Sequence, residues 1–155
     1  MLSGNPSGIT SLEDLGTKPV GLVIGVGTVP ISKYTRQIFE NASNDYESDF
    51  SERVQNQVVP DETNTREAAQ KIFLGEDEAT VVYRTDVTPS LEDNIEIEIP
   101  EEHNVRAFNY ARVLKNAANL ELTQEYLDFI LTPAGPEILR GFGYEPVEDQ
   151  ASRGG

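Results

Sequence analysis

The sequence of 155 residues contains no cysteine, no tryptophan and one histidine, His103. The lack of cysteine excludes disulfides, thiol nucleophiles and thiolate metal sites. A single histidine leaves no second imidazole for a metal site, and no serine lies in a nucleophile-elbow pattern. Because His103 lies in the polar turn Pro-Glu-Glu-His-Asn, we expect it on the surface. These absences make an enzyme the less favoured class.

Basic residues are also scarce, with 12 lysines and arginines against 27 acidic residues and a formal net charge of −15. A field of this sign repels nucleic acid and anionic lipid, so neither is expected as a partner. No apolar run is long enough to span a bilayer, so we expect no insertion into lipid. The acidic residues are spread along the chain, which favours the hypothesis of an acidic, halophilic-type protein adapted to high salt.

The first residues, Met1 to Pro6, have neither the basic region nor the apolar run of a signal peptide. On this observation we expect either a cytoplasmic protein or part of a longer exported protein.

Short apolar runs alternate with amphipathic segments, and this order predicts an α/β layer architecture. Apolar periodicity, prolines and capping residues predict the bounds of each element. The predicted strands are 20–26, 57–59, 79–83, 95–99 and 105–114. The predicted helices are a short turn at 11–15, one over 31–42, one capped by Thr63 or Asn64 and ended by Gly75, one over 121–131, and one from 132 to about 141.

Two of the predicted helices begin just after predicted strands, near Ile31 and near Thr65. The unpaired backbone N–H groups and the positive dipole end of a helix attract anions. In open α/β sheets such helix starts gather outside the carboxyl ends of the strands, where Tyr83 also lies. The sequence therefore predicts that two helix N-termini and one phenol converge on a small oxyanion.

Several segments, in the same order along the chain, resemble a known family. The stretch Thr28-Val-Pro-Ile-Ser-Lys-Tyr34 is similar to the Thr-Val-Pro-Ala-Gly-Arg-Tyr motif of the molybdate-binding proteins of ABC transporters. Other stretches resemble segments of type-II periplasmic solute-binding proteins more generally, and the resemblance extends from about residue 3 to residue 147. These stretches are 5–15, 64–69, 79–86 and 126–144.

The resemblance implies a fold and a division of the chain. The fold would be the second lobe of a type-II periplasmic binding protein, an α/β three-layer lobe whose mixed, mostly parallel sheet is flanked by helices. Residues 1–155 would form a single domain, with a core over 9–114 and a flexible tail over 148–155. In the family the C-terminal helices, here 115–147, return to a first lobe, and that lobe would precede Met1.

The resemblance also implies a ligand and its donors. The ligand would be molybdate or tungstate, with no cofactor and no directly coordinated metal. The donors would be the backbone N–H of Ile31, the backbone N–H of Thr65 and the hydroxyl of Tyr83. One departure is that Ile31-Ser32 replaces the usual Ala-Gly, which affects the size of the cavity. The neighbouring site residues would be Thr28, Val29, Pro30 and Asn64.

The implied partners are the oxyanion, the missing first lobe and the permease of an ABC transporter, in a full-length protein outside the cytoplasm. Two other functional classes remain open, a cytoplasmic ligand-sensing or regulatory domain and a small-ligand enzyme that uses His103 or Asp86 as a base. A different anion, such as sulfate or phosphate, is a further alternative. Phosphate would need an acceptor for its proton, and the sequence identifies none.

Overall fold

The structure is a computed structural model that describes residues 5, 7–25, 29–60, 65–87 and 97–147. The chain divides into two compact units, Met1–Ala107 and Phe108–Gly155. Among the described residues, the first unit carries the sheet and four α-helices, and the second carries two α-helices. No helix among the described residues is long and apolar enough to cross a membrane.

The sheet of the first unit has three parallel strands in the order β2-β1-β3. They are β1 (Leu22–Ile24), β2 (Val58–Pro60) and β3 (Ala79–Thr80). Leu22 of β1 pairs with Val58 on one side and with Ala79 on the other. All three residues of β1 are buried, as expected for a continuous apolar run at the centre of a parallel sheet. The predicted α/β fold is confirmed.

The helices of the first unit lie between and before these strands. They are α1 (Asp14–Thr17), α2 (Pro30–Ala42), α3 (Phe50–Asn56) and α4 (Thr65–Leu74), and a 3-10 helix (Arg84–Asp86) follows β3. Helix α2 begins with proline in its first turn, where the missing N–H has no helical partner. Helix α4 ends as predicted at Gly75, whose φ of 72° is a left-handed conformation that glycine adopts readily.

The core of the first unit centres on two aromatic rings. Phe39 of α2 and Phe50 of α3 are fully buried, and their rings meet edge to face with centroids 6.3 Å apart. Gly16 of α1 lies against the ring of Phe50 so closely that an added Cβ would be 2.5 Å from a ring carbon. Helices α1, α2 and α3 therefore share one closely packed interface.

The prediction that His103 lies on the surface is wrong, because its side chain is buried and only 3% exposed. The ring lies edge-on to Tyr46, and the amide of Asn41 donates to the backbone oxygen of His103 at 3.1 Å. Its Nδ1 is 3.6 Å from Asp45 Oδ2 and has no hydrogen-bond partner among the described residues. The polar turn thus directs one side chain inward, which composition does not reveal.

Three of the predicted strands differ from the structure. The strand predicted over 79–83 ends at Thr80. Ile97 and Ile99 are half-buried and Glu98 is exposed, the predicted alternation, but residues 97–100 form no strand, and 95–96 lie outside the described residues. Residues 105–114 also form no strand, and Phe108 and Tyr110 are exposed. The alternation of apolar residues there lacks a neighbouring strand to pair with.

The second unit consists of α5 (Leu120–Leu131) and α6 (Ala134–Arg140), which contact each other. Asn119 caps α5 through its side-chain oxygen, which accepts from the N–H of Leu122 at 3.0 Å. Both helices were predicted. However, Gly135 is the one buried residue among those described in this unit, and the apolar side chains of Leu122, Tyr126 and others are exposed.

Candidate oxyanion site

The carboxyl ends of β1, β2 and β3 lie at the same edge of the sheet because the three strands are adjacent and parallel. We call this edge, with the residues that directly follow each strand, the carboxyl edge. After β1 the chain continues to the start of α2, after β2 to the start of α4, and after β3 to Tyr83. Ligands of open α/β sheets bind at such an edge, beside the strand at which the connections between successive strands reverse their direction across the sheet. Here that strand is β1.

Gly25, directly after β1, packs closely against the start of α2. Gly25 is buried, and a Cβ added to it would lie 2.8 Å from Val29 Cγ2 and 3.2 Å from Ile31 Cγ2. The hydroxyl of Ser32, itself fully buried, donates to the backbone oxygen of Gly25. The end of the central strand and the first turn of α2 are therefore fixed to each other.

Ile31 carries the first backbone N–H within helix α2, because Pro30 before it has none. Val29 precedes the helix in an extended conformation and gives no side-chain cap. The side chain of Ile31 is buried against Gly25, so the backbone N–H is the polar group that this residue can offer to an anion. The side chains of Ile31 and Ser32 are thus both accommodated by packing against Gly25.

Thr65 is the first residue of α4, the helix that follows β2. Helix α4 contacts β1, β3 and the 3-10 helix. Its start is therefore attached to the same three-stranded sheet as the start of α2. Thr28 and Asn64, the other two predicted neighbours of the site, lie outside the described residues.

Tyr83 lies between β3 and the 3-10 helix and is half-buried. Burial raises the pKa of its phenol, and the neighbouring Tyr34 and the carboxylate of Asp86 raise that pKa further. All three effects disfavour the phenolate. The hydroxyl of Tyr83 therefore stays protonated, and able to donate a hydrogen bond, over the whole physiological pH range.

Two residues near Tyr83 were not predicted as part of a site. Tyr34, assigned from sequence to the apolar stripe of α2, is half-buried and close enough to affect the pKa of Tyr83. The spacing of three residues between Ile31 and Tyr34 could have indicated that Tyr34 lies on the same side of α2 as the proposed site, since residues three apart share one face of a helix. Asp86 was named from the sequence as a candidate base of an alternative enzyme, but not as part of the oxyanion site, because the 3-10 turn that follows Tyr83 was not predicted.

Arg84 follows Tyr83 and begins the 3-10 helix, and its guanidinium forms an ion pair with the exposed Glu98. Within the described ranges, no group of three or more metal-ligating side chains that could hold an ion occurs. A surface depression lined by Gly16, Lys18 and Arg53, among others, includes no residue of the carboxyl edge.

Comparison with known proteins identifies the class. Residues 1–145 match the family model described as bacterial extracellular solute-binding protein, and the chain therefore belongs to this family. By this description, the members of the family are extracellular proteins that bind solutes.

Among solved structures, the chain is similar to the crystal structure of PEB3 with bound L-phospholactate, at 14% sequence identity and a TM-score of 0.69. The match covers 92% of this chain and 62% of that chain, so the sequence spans less than two thirds of the length of its structural relative. This likeness supports the α/β fold of periplasmic binding proteins. A search of curated protein sequences gives no significant match.

Proposed function

We propose that this chain binds a small tetrahedral oxyanion at the carboxyl edge, as part of a solute-binding protein that delivers its ligand to an ABC transporter. The observation that supports the proposal is that β2, β1 and β3 are adjacent and parallel. Because of this, the starts of α2 and α4 and the residue Tyr83 each follow a strand that ends at the same edge of the sheet. The backbone N–H groups of Ile31 and Thr65 and the hydroxyl of Tyr83 are the proposed donors.

The first candidate ligand is molybdate or tungstate, which the resemblance of residues 28–34 to the molybdate-binding motif favours. The three proposed donors are neutral. Unlike a lysine or arginine, they have no net charge that would hold every anion alike. A hydrogen bond to a charged oxygen contributes about 1.5–3 kcal/mol, so a few such bonds give useful affinity. The net charge of −15 opposes the approach of an anion at long range, and we expect binding to improve with salt.

The second candidate is a phosphate group. PEB3, the structural relative, was crystallised with L-phospholactate, a phosphorylated acid. Phosphate would need an acceptor for its proton, and the acceptor that we propose is the carboxylate of Asp86, in the 3-10 helix directly after Tyr83.

The second unit is proposed to pack against a further part of the full-length protein, the first lobe implied by the resemblance. This proposal is supported by the unit's exposed apolar side chains and by the greater length of the structural relative. Apolar groups exposed on both α5 and α6 are typical of surfaces that another protein part covers. Among the described residues of this unit, the most exposed large apolar side chains, on the helices and beside them, are those of Tyr110, Leu131, Phe142 and Val147.

The test is a titration of the isotope-labelled chain with molybdate, tungstate, phosphate and sulfate in high salt, followed by backbone amide NMR. We expect saturable shifts that cluster at the amides of Ile31 and Thr65 and near Tyr83. Shifts confined to other parts of the chain, or no shifts at millimolar anion, would contradict the proposed site.

A further inference from the structure

The charge pattern of the chain changes over residues 103–120, which we call the acid-free segment. The segment contains Arg106, Arg112 and Lys115 and no aspartate or glutamate, so all 27 acidic residues of the chain lie outside it. Its charge is therefore opposite in sign to the formal net charge of −15 of the whole chain. Carboxylates are spread over the rest of the chain, where they keep a solvated surface soluble. Their absence here indicates a surface that meets something other than solvent.

The acid-free segment exposes large apolar side chains. Tyr110 is 92% exposed, and more than half of the surface of Phe108 and of Leu114 is exposed. Residues 107–113 form neither helix nor strand, and they make no backbone hydrogen bond with any described residue. Aromatic side chains grouped with arginine are typical of the surfaces that proteins use to bind one another. The peptide groups of the segment are equally available to a partner.

A surface depression lies in the cationic part of the segment. It is lined by residues 112–117, and both Arg112 and Lys115, which are exposed, contribute to the lining. Neither of these two side chains forms an ion pair with a described residue, whereas Lys18 and Arg53 each pair with a carboxylate. Two cations beside a depression complement a carboxylate side chain in charge and in shape.

We propose that the acid-free segment is the docking surface for an acidic face of the rest of the full-length protein, with a carboxylate of that face in the depression that Arg112 and Lys115 line. The inference rests on the proposed function, in which a further part of the protein covers the second unit, and it names the chemistry of the covering surface. The match covers 62% of the structural relative, whose remaining length supplies a counterpart of that further part. A part as acidic as this chain presents carboxylates, and opposite charges favour the contact. The net charge of −15 opposes nucleic acid and anionic lipid as occupants.

The test is hydrogen–deuterium exchange with mass spectrometry, applied to this chain alone and to the full-length protein. Peptides from residues 107–113 should exchange at unprotected rates in the chain alone, and at least about tenfold more slowly in the full-length protein. In the full-length protein, Arg112→Glu combined with Lys115→Glu should restore fast exchange, because the new carboxylates repel the acidic face. Lys33→Glu combined with Arg36→Glu is the matched control, since it replaces two exposed cations of α2 with the same spacing. It should leave exchange in the segment unchanged.

The possible outcomes separate the inference from the proposed function. Fast exchange at residues 107–113 in the full-length protein, together with slowed exchange of α5 and α6, would overturn the inference alone. Equal effects of the two double variants would also overturn it, since only overall charge would then matter. Protection in the chain alone that increases with its concentration would make a second copy the occupant and would again overturn the inference. Exchange that is equally fast in both proteins, in the segment and in both helices, would overturn the inference and the proposed packing of the second unit together.

Discussion

The imidazole ring of His103 packs edge-on against the phenol ring of Tyr46, with centroids 5.1 Å apart and 66° between the ring planes. Tyr46 in turn meets Phe50 edge to face at 5.1 Å. This row of rings connects the turn at residues 101–103 to the segment between α2 and α3. The sole histidine therefore contributes to the hydrophobic core, and the turn depends on it for anchorage.

Replacing His103 by alanine should destabilise the first unit by about 1–3 kcal/mol, because the change leaves a cavity beside Tyr46. Urea unfolding followed by circular dichroism measures the effect. Glu102→Ala, on the exposed side of the same turn, is the control and should change stability by less than about 0.5 kcal/mol. Equal stabilities of His103→Ala and Glu102→Ala would contradict the packing role of the imidazole.

Gly16→Ala should destabilise the contact between α1 and α3. The added methyl would lie 2.5 Å from a ring carbon of the fully buried Phe50, so the ring or the helix must shift. Overpacking of this kind costs about 1–3 kcal/mol. Gly21→Ala is the matched control, since its methyl would meet only the end of the flexible Glu78 side chain at 3.3 Å. Thermal unfolding of both variants should give the lower midpoint for Gly16→Ala.

Asp14 should make the stability of the first unit depend on pH in the acid range. The ion pair with Lys18 at 2.9 Å, and hydrogen bonds from the backbone and hydroxyl of Thr10, hold the pKa of Asp14 well below its usual range. A carboxyl whose pKa is lower in the folded chain than in the unfolded chain binds fewer protons when folded. It therefore stabilises the folded chain above the ordinary carboxyl pKa of about 3.9. That stabilisation is lost as pH falls toward the folded pKa.

The corresponding measurement is urea unfolding of the original chain and of Asp14→Asn between pH 7 and pH 2. The difference in stability should be largest above about pH 5 and should shrink as the pH falls below about 4. A difference that stays constant over this range would show that the charge of Asp14 is not the source of its contribution.

The acidic surface should make folding depend on salt. With a formal net charge of −15, repulsion between carboxylates destabilises the compact state at low ionic strength. Raising KCl from about 0.1 M to 1 M shortens the screening length from about 10 Å to 3 Å. The thermal midpoint should rise over this range, and a midpoint independent of KCl would rule out adaptation to high salt.

Tyr83→Phe should weaken anion binding at the proposed site by about tenfold or more, because it removes a single hydroxyl donor to a charged oxygen. Tyr126→Phe removes a hydroxyl from an exposed ring of the second unit and should leave affinity unchanged. The amide NMR titration used for the proposed function measures both variants. Equal anion affinities in the two variants would show that the hydroxyl of Tyr83 is not a donor in the site.

Local signals in the sequence predicted the helices well. Pro30 at the start of α2 and Gly75 after α4 each impose a local backbone condition that does not depend on the rest of the fold. The apolar run around Val23 similarly predicted a buried central strand, because few other structures accommodate such a run.

Features that depend on distant parts of the chain were predicted less well. Residues 105–114 have the composition of a strand, but a strand also needs a partner, and within the part of the chain that the structure describes none pairs with this segment. The turn around His103 looks exposed by composition, and only its packing on Tyr46 buries the imidazole. For the site, the helix starts and Tyr83 could be predicted from chain order, whereas Asp86 required the geometry of the 3-10 turn.

The central position of β1 also has a consequence for the kinetics of folding. Leu22 pairs with Val58 and with Ala79, so neither half of the sheet can form from residues that are neighbours in the chain. The chain must close a long loop before either pair of strands can form its hydrogen bonds, and loop closure of this kind slows folding. We therefore expect α2 and α4 to acquire transient helical structure first, with assembly of the sheet as the rate-limiting step.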